Sequence, residues 1–153
     1  MAKDNDVDEA AMFTGPHKVK LEKWISCAPF EALLGITIKE AEDGRSCLTM
    51  PFTEKLAQGA GMMHGGAIVT LADTAVAMAI KSRVPQDSRF GTISLQTEFL
   101  KPVLKGTLTA QASVVFKEDR NITASADVFN EENQVVMTFS ARFKLARDTK
   151  IPG

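Results

Sequence analysis

The sequence predicts an α+β domain in which one long antiparallel sheet packs on a single central apolar helix. Three observations predict it. A run of Ala, Ile, Val, Leu and Met between Gly65 and Arg83 is too long and too rich in alanine for one strand. Everything after it is strand-like, in four segments rich in Val, Thr, Phe and Ile that mostly alternate. The gaps between those segments are short, which favours antiparallel neighbours over crossover helices. With 153 residues, 44% of them hydrophobic and 24% charged, the chain is long enough to bury one sizeable core.

In chain order, residues 1–15 are acidic with little apolar periodicity and are expected to form a flexible arm before a single domain over 16–150. Val19, Leu21, Trp24 and Ile25 are spaced as in a short amphipathic helix, which Pro29 should end because proline lacks the next backbone donor. Two strands then flank Asp43-Gly44, a dipeptide suited to a tight hairpin, and Pro51 closes the pair. Four glycines, 59, 61, 65 and 66, lead into the apolar run. As a helix from Gly65 to Arg83 it would be about 28 Å long. It is apolar on nearly every side, so it should be buried. Lys81 and Arg83 fall in its last turn, where the helix dipole favours cations. The four closing strands are separated at Pro102–Gly106, Glu118–Asn121 and Asn130–Asn133, and read as a meander.

Composition excludes several function classes. A net charge of −1 provides no global positive field for nucleic acid or an anionic membrane. Cys27 and Cys47 form no CxxC or Cys/His cluster, so no metal site is expected. The N-terminus has no apolar run of signal-peptide length, and the apolar stretch from Ala67 to Ile80 is interrupted by Asp73. A cytoplasmic protein without a membrane partner is expected.

Asp73 is the residue that does not belong. Val69, Thr70, Val76 and Ala77 surround it at helical contact spacings, about two turns from the helix start, too deep to cap free N–H groups. A buried carboxylate needs a compensating partner or a raised pKa. Two structural readings stand beside a catalytic one: Asp73 pairs with a buried cation, or it faces solvent on a polar strip with Thr70 and Thr74. Gly65 and Gly66 supply bare N–H groups at the positive end of the helix, fit for an oxyanion or a tight loop. The GxxxxGK[ST] pattern of a phosphate loop is absent. His64, next to the glycines, is by type more often a packing residue than a base. Gln58 offers an amide donor from the preceding loop. There is no GxSxG elbow, and neither cysteine has a nearby histidine in sequence.

The series Gln58, His64-Gly65-Gly66 and Asp73 resembles the active-site segment of the hotdog-fold thioesterases. With Leu71–Ala75 reading LADTA, it is similar to the phenylacetate-pathway (PaaI-type) branch. The resemblance covers about residues 25–146, including the strand that ends at Lys101-Pro102. It implies that the sheet wraps the helix, that dimers form by edge-to-edge joining of sheets, and that pairs of dimers form a homotetramer. It also implies an active site at the dimer interface that hydrolyses acyl-CoA. Asp73 would be nucleophile or general base, Gly65 N–H would polarise the carbonyl, and Gln58 would assist. His64 would support the loop, and Thr92 would orient water or the carboxylate. Gly66, Lys101 and Arg120 are expected to contact substrate, with Lys105 and Lys117 as further candidates for the CoA phosphates. No cofactor is implied, since coenzyme A belongs to the substrate. Other members carry Glu at the catalytic position and Ser or Thr one turn later. Asp73 and Ala77 therefore favour the PaaI-type branch over the 4-hydroxybenzoyl type.

Met62, Met63 and Met78 suit an adaptable acyl pocket, although methionines are more often plain core. Two other readings compete. A non-catalytic acyl-CoA-binding module usually has an added DNA-binding segment, for which this chain has no room. A hotdog dehydratase or hydratase needs a different His and acid arrangement.

Overall fold

The computed structural model describes residues 15–147. Of the expected arm, residues 1–14 lie outside the described residues, as do 148–150 of the expected domain. The elements are α1 (Pro29–Leu33), β1 (Thr37–Glu42), β2 (Arg45–Pro51), a 3-10 turn (Glu54–Leu56), α2 (Gly65–Lys81), β3 (Phe90–Phe99), β4 (Thr107–Glu118), β5 (Asn121–Phe129) and β6 (Val135–Leu145).

The expected helix before Pro29 does not form; the chain there is irregular, and Pro29 begins α1 instead. Proline suits the first helical position, where its missing N–H has no intrahelical acceptor anyway. The preceding segment is fixed by single contacts. The Trp24 indole N–H donates to the Lys81 carbonyl, and Lys81 Nζ donates to the Trp24 carbonyl, each at 3.0 Å. The same ammonium lies 4.6 Å from the centre of the Trp24 ring. Ser26 Oγ bonds the Lys23 carbonyl at 2.6 Å, a local bond that competes with a helical turn.

The hairpin at Asp43-Gly44 is as expected. Its residues have φ of 51° and 76°, the paired left-handed conformation of a two-residue turn. Gly44 N–H donates to Ser82 Oγ at 2.8 Å, tying the hairpin tip to the end of α2.

Sheet order is β1-β2-β4-β5-β6-β3, antiparallel throughout. The expected four-strand meander therefore holds only for β4 to β6. β3 and β4 are not neighbours: β3 pairs with β6 at one edge, while β4 pairs with β2. The connection over 100–106 crosses the end of the sheet. Seven residues reach roughly 23 Å when extended, more than the roughly 14 Å separating strands three positions apart. Short length alone did not force neighbours.

Alternation on β5 and β6 turns Ile122, Ala124, Val128, Met137 and Leu145 toward α2, beside Leu48 and Met50 of β2 and Leu108 of β4. Leu71, Val76 and Ile80 of the helix are fully buried among them. Burial of each such side chain contributes roughly 1.5–3 kcal/mol. No helix among the described residues is long and apolar enough to cross a membrane.

The two sheet edges differ. β1 carries Lys39, Glu40 and Glu42, charges that discourage further pairing. β3 is ten residues long, with Glu98 its one charged residue, and Leu95 and Phe99 stand 46% and 53% exposed.

Candidate active site

The sheet covers most of α2 but leaves one stripe half-open: Val69, Thr70, Asp73, Ala77 and Lys81. Their spacing of three or four puts them on one helical face. Asp73 points from it toward β3, where Thr92 Oγ1 donates to its Oδ1 at 2.9 Å. No cation pairs with Asp73 among the described residues. Burial pushes its carboxyl above the ordinary carboxylate value; the Thr92 hydrogen bond pulls it down, and the nearby Glu31 charge pushes it further up. Thr74 is buried and takes no part in an exposed polar strip with Asp73, whereas Thr70, half-open on the same face, donates its Oγ1 back to the Gly66 carbonyl at 2.8 Å.

The helix start is a second cluster. His64 is the N-cap, with extended backbone (φ −62°, ψ 129°), and its Nδ1 accepts from Gly66 N–H at 2.9 Å. An accepting Nδ1 places the proton of the neutral ring on Nε2. Ala67 N–H donates to the His64 carbonyl at 3.0 Å. Gly65 N–H, the first donor of the helix, has no acceptor among the described residues. The two glycines thus differ. Gly66 is committed to the imidazole; a Cβ there would lie 3.0 Å from His64 Nδ1, so its contribution is the missing side chain rather than a free donor.

Gln58 sits on a tight loop. Its Oε1 accepts from Ala60 N–H, leaving the amide N–H groups for a ligand. His64 N–H to the Leu56 carbonyl (2.8 Å) and Met63 N–H to the Val103 carbonyl (2.9 Å) pin the loop to its surroundings. Gln58, Met62, Met63, Gly65, Phe99 and Lys101 line a cleft of about 350 Å3 at the helix start. Met78, by contrast, is plain core.

The structure therefore gathers the expected residues into two groups: Asp73 with Thr92, and Gln58 with His64, Gly65 and Lys101. Eight helical steps lead from Gly65 to Asp73, about 12 Å along the axis. Arg120 lies apart from both. It lies in the β4–β5 turn, where its carbonyl accepts from Leu145 N–H at 2.8 Å, whereas Leu100 and Lys101 N–H donate to Val136. Nine residues of β6 separate these points, about 30 Å. One chain cannot bring Lys101 and Arg120 to the same phosphate.

Two neighbours of the site were not legible in sequence. Glu31, on α1, acts electrostatically on Asp73. The Phe99 ring lies against Gly65; a Cβ on that glycine would be 3.1 Å from Phe99 Cζ. Neither cysteine is an activated nucleophile, because burial raises both thiols. No group of three or more His, Cys, Asp or Glu side chains among the described residues could hold a metal ion.

Residues 60–137 match the family model of the thioesterase superfamily. The acyl-coenzyme A thioesterase PaaI of Escherichia coli is 31% identical over 71% of this chain and 76% of its own length. The solved structure of the E. coli PaaI protein from the phenylacetic acid degradation operon superposes with a TM-score of 0.69 at 29% identity, covering 75% of this chain and 82% of that one. A conserved protein of Pseudomonas aeruginosa shares the fold with a TM-score of 0.74 at 24% identity, covering 80% of this chain and 95% of that one.

Proposed function

The chain belongs to the thioesterase superfamily as a PaaI-type hydrolase with the hotdog fold, and from that premise we propose that it hydrolyses acyl-CoA at a site built from two subunits. The products are a free acid and coenzyme A. The observation that carries the reading is a half-buried carboxylate, Asp73, held by a hydroxyl and opposed by no cation among the described residues.

A thioester carbonyl has weak resonance, so one carboxylate and a few oriented donors suffice without a Ser-His pair. Asp73 attacks the carbonyl carbon or takes the proton from the water that does. Its raised pKa makes it a better base than an exposed aspartate. Gly65 N–H, at the positive helix end, and the Gln58 amide stabilise the charge growing on the carbonyl oxygen. His64 holds the loop by capping the helix. Lys101, at the cleft rim, suits the phosphates of coenzyme A, and no cofactor is required.

Two subunits are needed because one carbonyl cannot touch both Gly65 and Asp73 across about 12 Å. β3 offers the solution. Phe99, against Gly65, and Thr92, bonded to Asp73, share the helix-facing side of this strand; a bulge at Ile93 keeps the two in phase. Antiparallel pairing of β3 with its copy, about a two-fold axis near Leu95 and Gln96, sets Phe99 opposite Thr92 of the second chain. Gly65 of one subunit then meets the carboxylate of the other. The β3 edge, with Glu98 its one charged residue and Leu95 and Phe99 half-exposed, supports such pairing. Two of these dimers make the tetramer expected from the resemblance.

A panel of short, long and aromatic acyl-CoAs, with released thiol followed by a thiol-reactive dye, tests the reading. Asp73→Asn should lower kcat by at least about a hundredfold. A rate within about threefold of the unaltered protein would remove Asp73 from its role. Acyl-CoA binding with no thiol released from any of the panel would identify a binding module instead.

A further inference from the structure

We propose that Phe99 is a specificity-determining residue that rejects acyl groups branched at the carbon next to the thioester carbonyl. The inference rests on the two-subunit hydrolase reading above. Gly65 has no side chain, and the Phe99 ring takes the space: a Cβ on Gly65 would lie 3.1 Å from Phe99 Cζ and 3.2 Å from Cε1. The ring therefore stands against the Cα of Gly65, next to the N–H that has no acceptor among the described residues.

A carbonyl oxygen accepting from that N–H puts the acyl α-carbon within a few ångströms of the oxygen, hence beside the ring. The side chain is half-exposed at 53%, and its open side forms a wall of the cleft that also holds Met62, Met63, Ile68 and Leu100. Beyond the α-carbon, flexible methionines can yield to different acyl groups. At the α-carbon the ring is backed by helix backbone and cannot retreat in that direction. A linear or flat acyl group slides past its face; a substituent on the α-carbon points into it.

The test compares kcat/KM for isomeric or matched pairs: butanoyl- and 2-methylpropanoyl-CoA, octanoyl- and 2-methylheptanoyl-CoA, phenylacetyl- and 2-phenylpropanoyl-CoA. The unaltered protein should favour the unbranched member of each pair that it turns over. Phe99→Ala should raise the branched-to-unbranched ratio about tenfold or more, the scale of discrimination by one methyl-sized group. Phe99→Leu, which keeps the site filled, should fall between and guards against poor folding of the alanine variant. A ratio shifted less than about threefold in both variants, or an equal loss on all substrates, would overturn the inference while leaving hydrolysis intact. Silence of the unaltered protein on every pair would overturn the hydrolase reading and this inference with it.

Discussion

Asp73 is held between opposing effects. Burial and Glu31 favour its protonated form, while the Thr92 hydroxyl favours the carboxylate. In the proposed reaction the ionised form is the one that attacks or accepts a proton. Activity should therefore rise with pH as Asp73 ionises, along an acid limb lying above the ordinary carboxylate range. Removing the hydroxyl removes the effect that favours ionisation. Thr92→Val should thus move the acid limb of kcat/KM to higher pH and lower the plateau, while Thr92→Ser should leave the limb in place. A limb that stays put or moves down in the valine variant would deny Thr92 any hold on the carboxylate. Asp73 and Gly65 were legible in sequence because their chemistry contradicts its surroundings: a charge inside an apolar helix, glycines at a helix start. Thr92 came only from resemblance. Phe99 and Glu31 could not be read, since β3 and α1 reach the site through tertiary packing that no local spacing records.

In the proposed reaction helix α2 presents its oxyanion donor at its first turn, and His64 caps that turn. Its Nδ1 occupies Gly66 N–H and leaves the donor of Gly65 without an acceptor among the described residues. Loss of an N-cap costs about 0.5–2 kcal/mol, roughly 1–8 °C of melting temperature in a chain of this size. His64→Ala should show that loss in thermal melting, and His64→Asn, which caps equally well, should recover most of it. A histidine-to-alanine variant melting with the unaltered protein would mean the cap is idle. At this scale most of the fold was legible. The long helix, the Asp43-Gly44 hairpin and six strands follow from periodicity and turn chemistry. Two elements did not. Pro29 serves equally as a helix stop or a first residue, and Trp24 packs without a helix because Lys81 satisfies its polar atoms. The crossing of β3 to β6 was hidden because strand propensity records no partner.

A site divided between subunits makes a prediction that a site within one chain cannot share. Gly65→Pro deletes the proposed oxyanion donor with little harm to the helix, because proline suits its first position and His64 already has the extended backbone that must precede it (ψ 129°). The Phe99 ring has to yield, having only a half-exposed position to leave. Such a variant should lose about a hundredfold or more in kcat. Asp73→Asn should be equally impaired. Co-expressed, the two inactive chains should form mixed dimers in which one site joins an intact Gly65 to an intact Asp73, and the other joins both lesions. Random pairing makes half of the dimers mixed, with one of two sites restored, so activity should return to about a quarter of the unaltered level. Light scattering on the same samples should give a dimer or larger. If the co-expressed protein stays as inactive as its parents while sizing shows it assembled, the donor and the carboxylate must act within one chain, and α2 would have to bend to bring them together.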